Sequence, residues 1–464
     1  MNRPLPSPRS FARRLLSLGR GRALDLSAYP SLAVPATAIS TLGGPAAFRE
    51  TLLAMIAKAQ RRIVLVALYL QDDDAGREVL DALYSARKAR PRLSVEVYVD
   101  WHRARRGLIG KGSKEGNAAM YREYAQRHGD GVVVRGVPVQ NRELFGVLHL
   151  KGFIIDDSVL YSGASLNDVY LAKHERYRLD RYHLIRDRAL ADSMAGLVHG
   201  QFRDSDAVPR FTRTPLPSTR ELQEPIRRLR QSLRQSQYIG PRQTPGEGEV
   251  AVIPLLGFGR SDNALNEVLL ALLRGARQRV ILLTPYFNLP RQVRAVIGQL
   301  LRRGCRLDIM VGDKVANDFY IPPEQPFHRI GLLPYLYESN LRRFARLHRA
   351  AIDSGQLNLW LWRHGDNSYH LKGVFVDDEV AVLTGNNLNP RAWALDLENG
   401  LLLQDPSRRL VAQHEAEWLA LRQHATRLGD YRELQNARRY PREVRRMLRR
   451  LRGVQLDRLI GRLL

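Results

Sequence analysis

The sequence predicts an α/β protein built from two tandem halves, each a sheet layered between helices, and three observations carry that expectation. The octet His149–Asp156 (His-Leu-Lys-Gly-Phe-Ile-Ile-Asp) returns as His370–Asp377 (His-Leu-Lys-Gly-Val-Phe-Val-Asp), 370 − 149 = 221 residues downstream. Around each copy, short continuous apolar runs alternate with stretches of helical periodicity, the pattern of a sheet buried on both faces. A chain of 464 residues is also long enough for two cores.

Residues 1–35 are expected to form a basic tail, since 1–24 hold six arginines, no acid and no continuous apolar run of the secretory kind. The first half spans 36–205. Phe48–Ala59 and Asp74–Ala89 have helical spacing, and Ile63–Leu70 and Leu93–Val99 have the length and composition of strands. Gly107–Gly116 is expected to be a loop near the site. Val147–Ile155 and Val159–Ser162 are expected strands, joined by a turn at Asp156–Ser158. Residues 206–250 are a basic linker rich in Pro, Ser, Gln and Arg, with a short helix carrying Ile226, Leu229 and Leu233 on one face. The second half, 251–425, repeats the order: helix Ala264–Leu273, strand Val280–Phe287, helix Arg291–Leu301, strand Leu307–Val311. Val280–Phe287 lines up with Ile63–Leu70 and sets Tyr286 opposite Tyr69; Thr384–Asn389 answers Ser162–Asn167. Two copies at this separation mean a duplicated domain and not a solenoid.

The charge balance is 73 − 47 = +26, which suits a polyanionic partner, either nucleic acid or acidic lipid. Cys305 is the single cysteine, so the chain has no internal disulfide and no multi-cysteine metal cluster, as befits a reducing cytoplasm. No uncharged apolar run approaches the ~18 residues of a membrane span. Residues 426–464 form a basic amphipathic segment. Val444, Met447, Leu448 and Leu451 make an apolar stripe, Arg445, Arg446, Arg449 and Arg450 fill other positions, and the stripe resumes, rotated, at Leu456, Leu459, Ile460 and Leu463. Two readings of it stay open: a helix lying on an anionic membrane, with those arginines and Met447, Leu448 and Leu451 as its contacts, or a helix packed on the protein with a solvated basic face. Leu341–Ala351 is a similar, shorter stretch.

On an extended segment residues two apart face the same way, so His149 points with Lys151 and His370 with Lys372. Packed about a pseudo-twofold axis, the halves would bring both pairs into one cleft, joined by the amides of Asn167 and Asn389. Such a cleft suits a phosphodiester: cations and amides hold the non-bridging oxygens, one imidazole attacks phosphorus and the other protonates the leaving group. No metal or other cofactor is called for, because the side chains supply the positive charge. A lone histidine on an apolar run is most often a satisfied core residue; the matched duplicate argues against that here. Asp156 and Asp377, at the turn after each motif, are expected to brace the site.

At these residues the chain resembles the phospholipase D superfamily, whose signature is H-x-K-x4-D with a downstream Gly and Asn, in two copies. The resemblance implies two α/β halves sharing one active site and a covalent phosphohistidine, with His149 as nucleophile and His370 as acid–base partner, or the reverse. The superfamily places a carboxylate downstream to orient a motif histidine, and Glu398 fits. The first half reads Leu179-Asp180-Arg181-Tyr182-His183, with no Glu at the equivalent position, so the role is not extended to it. Within the superfamily, Tyr177–Arg186, Thr384–Trp393 and the Arg-rich C-terminus look like the bacterial phosphatidylserine synthases. That resemblance covers nearly the whole chain from about Ala36. It implies transfer of a phosphatidyl group from CDP-diacylglycerol to L-serine with release of CMP, by a cytoplasmic enzyme bound peripherally to the anionic inner membrane and associated with ribosomes. Two rivals keep the fold: a phosphatidyltransferase using glycerol 3-phosphate or phosphatidylglycerol, and a nuclease. The densest arginines lie on apolar-striped segments and are not interleaved with stacking aromatics, which disfavours the nuclease. A catalytically dead adaptor is disfavoured by two intact motifs.

Overall fold

The computed structural model describes residues 26–106, 116–322 and 324–453. The expected loop at 107–115, the tail at 1–25 and the second stripe from Leu456 to Leu463 lie outside them. The first half is a seven-stranded sheet in the order Ile39–Thr41, Tyr182–Arg186, Ser158–Ser162, Gly152–Ile155, Arg62–Ala67, Ser94–Asp100, Val133–Val137. The second is nine-stranded: Leu32–Pro35, Glu249–Gly257, Glu398–Gln404, Val380–Thr384, Gly373–Val376, Arg279–Leu283, Arg306–Gly312, Leu357–Trp362, Ala425–Arg427. Strip one strand from each edge and the two orders are the same. Register repeats too: Ile63 pairs Ile155 antiparallel where Val280 pairs Val376, and each first strand pairs the next in parallel. The duplication seen in the sequence is therefore a duplication of the sheet.

Local chemistry accounts for the elements. Helix Asp74–Ala89 starts where the Asp73 side chain accepts from Gly76 N at 2.9 Å, buries Val79, Leu80, Leu83 and Tyr84, and ends on Arg87 and Lys88, matching its dipole. Along Arg279–Leu283 alternate residues part company. Val280 and Leu282 pack with the second half's own helices, while Ile281 and Leu283 enter a core continuous with that of the first half. The halves thus share a hydrophobic seam, and the cleft lies across it.

The tail, the linker and the C-terminal segment all take part in the packing. Leu32–Pro35, placed in the tail by its sequence neighbours, adds an edge strand to the second sheet, Leu32 pairing Val252. In the linker, Gln223–Gln235 is a helix seated on the protein by Ile226, Leu229 and Leu233, and Tyr238 reaches the second half. The C-terminal helix Arg442–Gly453 also packs inward: Val444 and Leu448 are buried against Leu332, Tyr335 and Tyr440, with Met447 partly covered. Leu448 is therefore not free to enter a bilayer, because its apolar area is already removed from water inside the chain, and Met447 keeps only part of its side chain exposed. The side chain of Leu451 lies outside the described residues. Arg445, Arg446, Arg449 and Arg450 are exposed. No helix among the described residues is long and apolar enough to cross a membrane.

Candidate active site

The two motif histidines sit just before the strands Gly152–Ile155 and Gly373–Val376, not within them, on extended segments tied to the opposite half. His149 N donates to Leu397 O at 2.9 Å, and His370 N to Leu179 O at 2.8 Å. These two bonds are the same bond made twice, in opposite directions across the seam. Each presents the histidine to the carboxylate that follows the accepting residue. His149 Nδ1 is 2.9 Å from Glu398 Oε2, and His370 Nδ1 is 3.1 Å from Asp180 Oδ2. A carboxylate on Nδ1 leaves Nε2 of each ring as the nitrogen available to a substrate.

Asp180 is thus the counterpart of Glu398, and the expectation that the first half has none is corrected. Aligning Asp180 with Asp396 slips the register by two residues. Asp396 instead accepts from Val147 N at 3.0 Å and pairs with Arg391 at 3.2 Å. The signal was present as a Leu followed by an acid in both halves, Leu179-Asp180 and Leu397-Glu398. The residue after each acid differs in role. Asn399 clamps the Lys151 backbone, accepting from its N at 2.8 Å and donating to its O at 2.9 Å, whereas Arg181 is held by Glu417 at 2.7 Å.

The lysines differ as well. Lys372 Nζ donates to Asp180 Oδ2 at 2.8 Å and contacts His370 Nδ1. Lys151 Nζ is buried and has no hydrogen-bond partner among the described residues. Burial, then the positive Lys372, brings the Lys151 ammonium down to about 7. The same causes bring His370 down to about 4, and burial followed by Lys151 and Lys372 holds His149 well below its usual range. Burial opposes ionisation of Asp180, yet Lys372 and His370 keep its carboxyl at about 2. Glu398 is pushed well above the carboxylate range by burial and by Asp396. At neutral pH the cleft therefore offers two uncharged imidazoles beside a buried lysine whose Nζ lacks an acceptor among the described residues. That arrangement fits a phosphate diester, whose oxygens satisfy the ammonium while phosphorus meets an unprotonated Nε2.

The glycines downstream of each motif make the close approach possible. A Cβ on Gly385 would stand 2.8 Å from Lys151 Cγ and 3.5 Å from His149 Nδ1; one on Gly163 would stand 2.6 Å from Asp180 Oδ1 and 2.9 Å from Lys372 Nζ. Each motif's glycine makes room for the other half's catalytic group.

The remaining expected residues have other work. Asp156 accepts from the backbone N of Gln60, Arg61 and Arg62, and Asp377 from Arg277, Gln278 and Arg279. Each lies past the far end of its strand and pins the chain entering the neighbouring one, so neither braces the histidines. Asn167 and Asn389 are buried, and their amide oxygens accept from Tyr170 N at 3.1 Å and Ala392 N at 2.8 Å. Those oxygens fix the turns after the motif tails. Sequence reasoning gave no role to Tyr170, whose hydroxyl meets His370 Nδ1 at 2.9 Å, or to Arg178 and Asp318, an ion pair at 2.9 Å beside the same ring.

A family model described as "Cardiolipin synthase, PLD-like domain" matches residues 269–421. The CDP-diacylglycerol–serine O-phosphatidyltransferase of Escherichia coli (strain K12) is 49% identical over 440 residues, 95% of this chain and 97% of that protein. The enzyme of the same name from Haemophilus influenzae is 47% identical over 95% of this chain and 98% of its own length. The crystal structure of phosphatidylserine synthase from Haemophilus influenzae Rd KW20 superposes with a TM-score of 0.92 and 45% identity, covering 98% of this chain and 100% of that one. By sequence and by fold, the chain belongs to the phospholipase D-like family of CDP-diacylglycerol–serine O-phosphatidyltransferases.

Proposed function

We propose that the chain makes phosphatidylserine and CMP from CDP-diacylglycerol and L-serine, in phospholipid biosynthesis, through a covalent phosphohistidine. The observation that carries the reading is the pair of imidazoles crossed to the opposite half's carboxylates beside the unpartnered Lys151 ammonium. His149 Nε2 attacks the diester phosphorus next to the diacylglycerol; an N–P bond forms and the bond to CMP breaks. His370 passes a proton to the departing phosphate. The negative charge of the bound diphosphate favours that protonated state against the burial that lowers the pKa of His370 in the free site. In the second step His370 takes the proton of the serine hydroxyl, the new O–P bond forms and the N–P bond breaks. Lys151 and Lys372 hold the non-bridging oxygens in both steps.

The exposed Arg445, Arg446, Arg449 and Arg450 support peripheral attachment to the anionic inner membrane by charge, with the helix left packed on the protein. Ribosome association rests on the family resemblance alone. A second acceptor reading has its own support, since a CDP-diacylglycerol–glycerol-3-phosphate 3-phosphatidyltransferase of Saccharomyces pastorianus is 24% identical over 79% of the chain.

The test is product analysis by mass spectrometry, with CDP-diacylglycerol in mixed micelles and serine, glycerol 3-phosphate and phosphatidylglycerol together. Phosphatidylserine and CMP rising in step, and only with both histidines intact, is the expected outcome. A glycerophosphate product would move the assignment to the second acceptor.

A further inference from the structure

The two sides of the cleft are not equivalent, although the halves are duplicates. Tyr69 and Tyr286 occupy matching places after matching strands, and both are buried. Beside Tyr69 the short helix Trp101–Arg106, which follows the next strand, sets a cation, with the Arg103 guanidinium 5.3 Å from the ring centre. Beside Tyr286 the turn after the matching strand, Arg306–Gly312, sets an anion: Tyr286 donates its hydroxyl proton to Asp318 Oδ2 at 2.9 Å. Asp318 Oδ2 in turn is 3.9 Å from His370 Nε2, the nitrogen that faces the reacting groups.

One oxygen of Asp318 is ion-paired but takes no hydrogen bond among the described residues. Its Oδ1 lies 2.9 Å from Arg178 Nε, yet the contact lacks hydrogen-bond alignment, and among the described residues no group donates to this buried oxygen. A buried acceptor left open costs stability unless a ligand fills it. Arg178 meanwhile stacks on Tyr170 at 4.8 Å, and the Tyr170 hydroxyl touches the other nitrogen of His370. An acid, a guanidinium and two tyrosines therefore surround the histidine edge where a second substrate would arrive. Both charges persist at neutral pH. Burial opposes ionisation of Asp318, but Arg178, His370 and the Tyr286 and Ser368 hydroxyls hold its carboxyl below the usual range.

We propose that Asp318 and Arg178 form the acceptor site, Asp318 Oδ1 taking the ammonium of serine and Arg178 its carboxylate, so that the serine hydroxyl meets His370 Nε2. This rests on the reading of serine as acceptor and names the residues that select it. A zwitterion matches a buried ion pair charge for charge, whereas the anionic glycerol 3-phosphate brings no cation to Asp318 and meets repulsion there. The site also assigns the histidines: His370, beside the acceptor, is the acid–base residue, which leaves His149 to carry the phosphatidyl group.

The experiment compares L-serine with glycerate, which replaces the ammonium by a hydroxyl, and with serinamide, which lacks the carboxylate, in mixed micelles of CDP-diacylglycerol. Wild-type protein should use glycerate about 10- to 150-fold less well than serine, the value of one charged hydrogen bond. Asp318→Asn should collapse that ratio, mainly by raising the KM for serine, while the serine-to-serinamide ratio holds. Arg178→Gln should do the reverse. A general structural defect lowers all acceptors together and moves neither ratio. Wild-type protein using glycerate as well as serine would overturn the proposal even if no variant folds, as would an Asp318→Asn protein that keeps the wild-type ratio. Wild-type protein that makes no phosphatidylserine but modifies another acceptor would instead sink the serine reading itself.

Discussion

Lys151 is an ammonium sealed in a cleft without a hydrogen-bond partner among the described residues, so at this residue the fold works against its own stability. Its folded pKa of about 7 lies below the ordinary lysine value of 10.5. Between those values the unfolded chain binds a proton that the folded chain does not. Stability therefore rises with pH from about 7 to 10.5, and the penalty is full below 7. Lys151→Met should raise the melting temperature at pH 7 by about 2 °C or more, abolish transfer, and lose its thermal advantage as pH approaches 10. A lower melting temperature at pH 7 would mean the ammonium is stabilised in the empty site. Removing a brace has a different signature. Asp180→Asn or Glu398→Gln should cost about 100-fold or more in turnover, the scale of general acid–base catalysis, with the fold intact under circular dichroism. Near-normal turnover would show that the histidines do not need these partners. His149, Lys151, His370, Lys372 and Glu398 were legible because a repeat marked them. Asp180 was hidden by the two-residue slip, and Asp318 has no duplicate to mark it, being where the halves diverge.

Among the elements, the strands and helices flanking each motif were readable from apolar periodicity, and Asp74–Ala89 was read to the residue. What periodicity cannot give is the partner of an apolar stripe. Val444, Met447 and Leu448 fit a membrane as well as a protein surface, and only folding brings Leu332, Tyr335 and Tyr440 within reach. The same limit hid the strand at Leu32–Pro35, whose partner begins more than two hundred residues later. These contacts separate two effects in the C-terminal helix. Leu448→Ala should destabilise by about 2–4 kcal/mol, as for a large-to-small change in a packed cluster, and show as lost protection of the helix in hydrogen exchange. Replacing Arg445, Arg446, Arg449 and Arg450 with Gln should leave that protection in place but weaken binding to anionic vesicles by about 1 kcal/mol per charge at low salt. Vesicle binding unchanged by the four substitutions would move the membrane contact to another surface.

At the scale of the whole molecule, the crossed bonds from His149 to Glu398 and from His370 to Asp180 make the halves one catalytic unit. Mixing His149→Ala chains with His370→Ala chains should restore no activity, because each chain needs both of its own halves; recovery on mixing would require a site shared between chains. The buried histidines also fix how the molecule responds to acid. Burial lowers His370 and His414 to about 4 and His183 to about 3. Below the ordinary value of 6.5 the unfolded chain gains protons that the folded chain refuses, so His370 and His414 withdraw stability as pH falls from about 6.5 to 4, and His183 as it falls to about 3. The two-sheet plan was legible because the duplication is written in the sequence, whereas the crossing of carboxylates is a property of the seam that neither half contains alone. The measurement that bears most directly on the shared site is a single-turnover trap, in which wild-type protein is mixed with CDP-diacylglycerol without acceptor, quenched and mapped by peptide mass spectrometry. One CMP released per chain, a phosphatidyl adduct on His149, and its discharge to phosphatidylserine when serine is added are the expected results. An adduct on His370, or CMP released only in the presence of serine and with no adduct, would contradict the covalent role of His149.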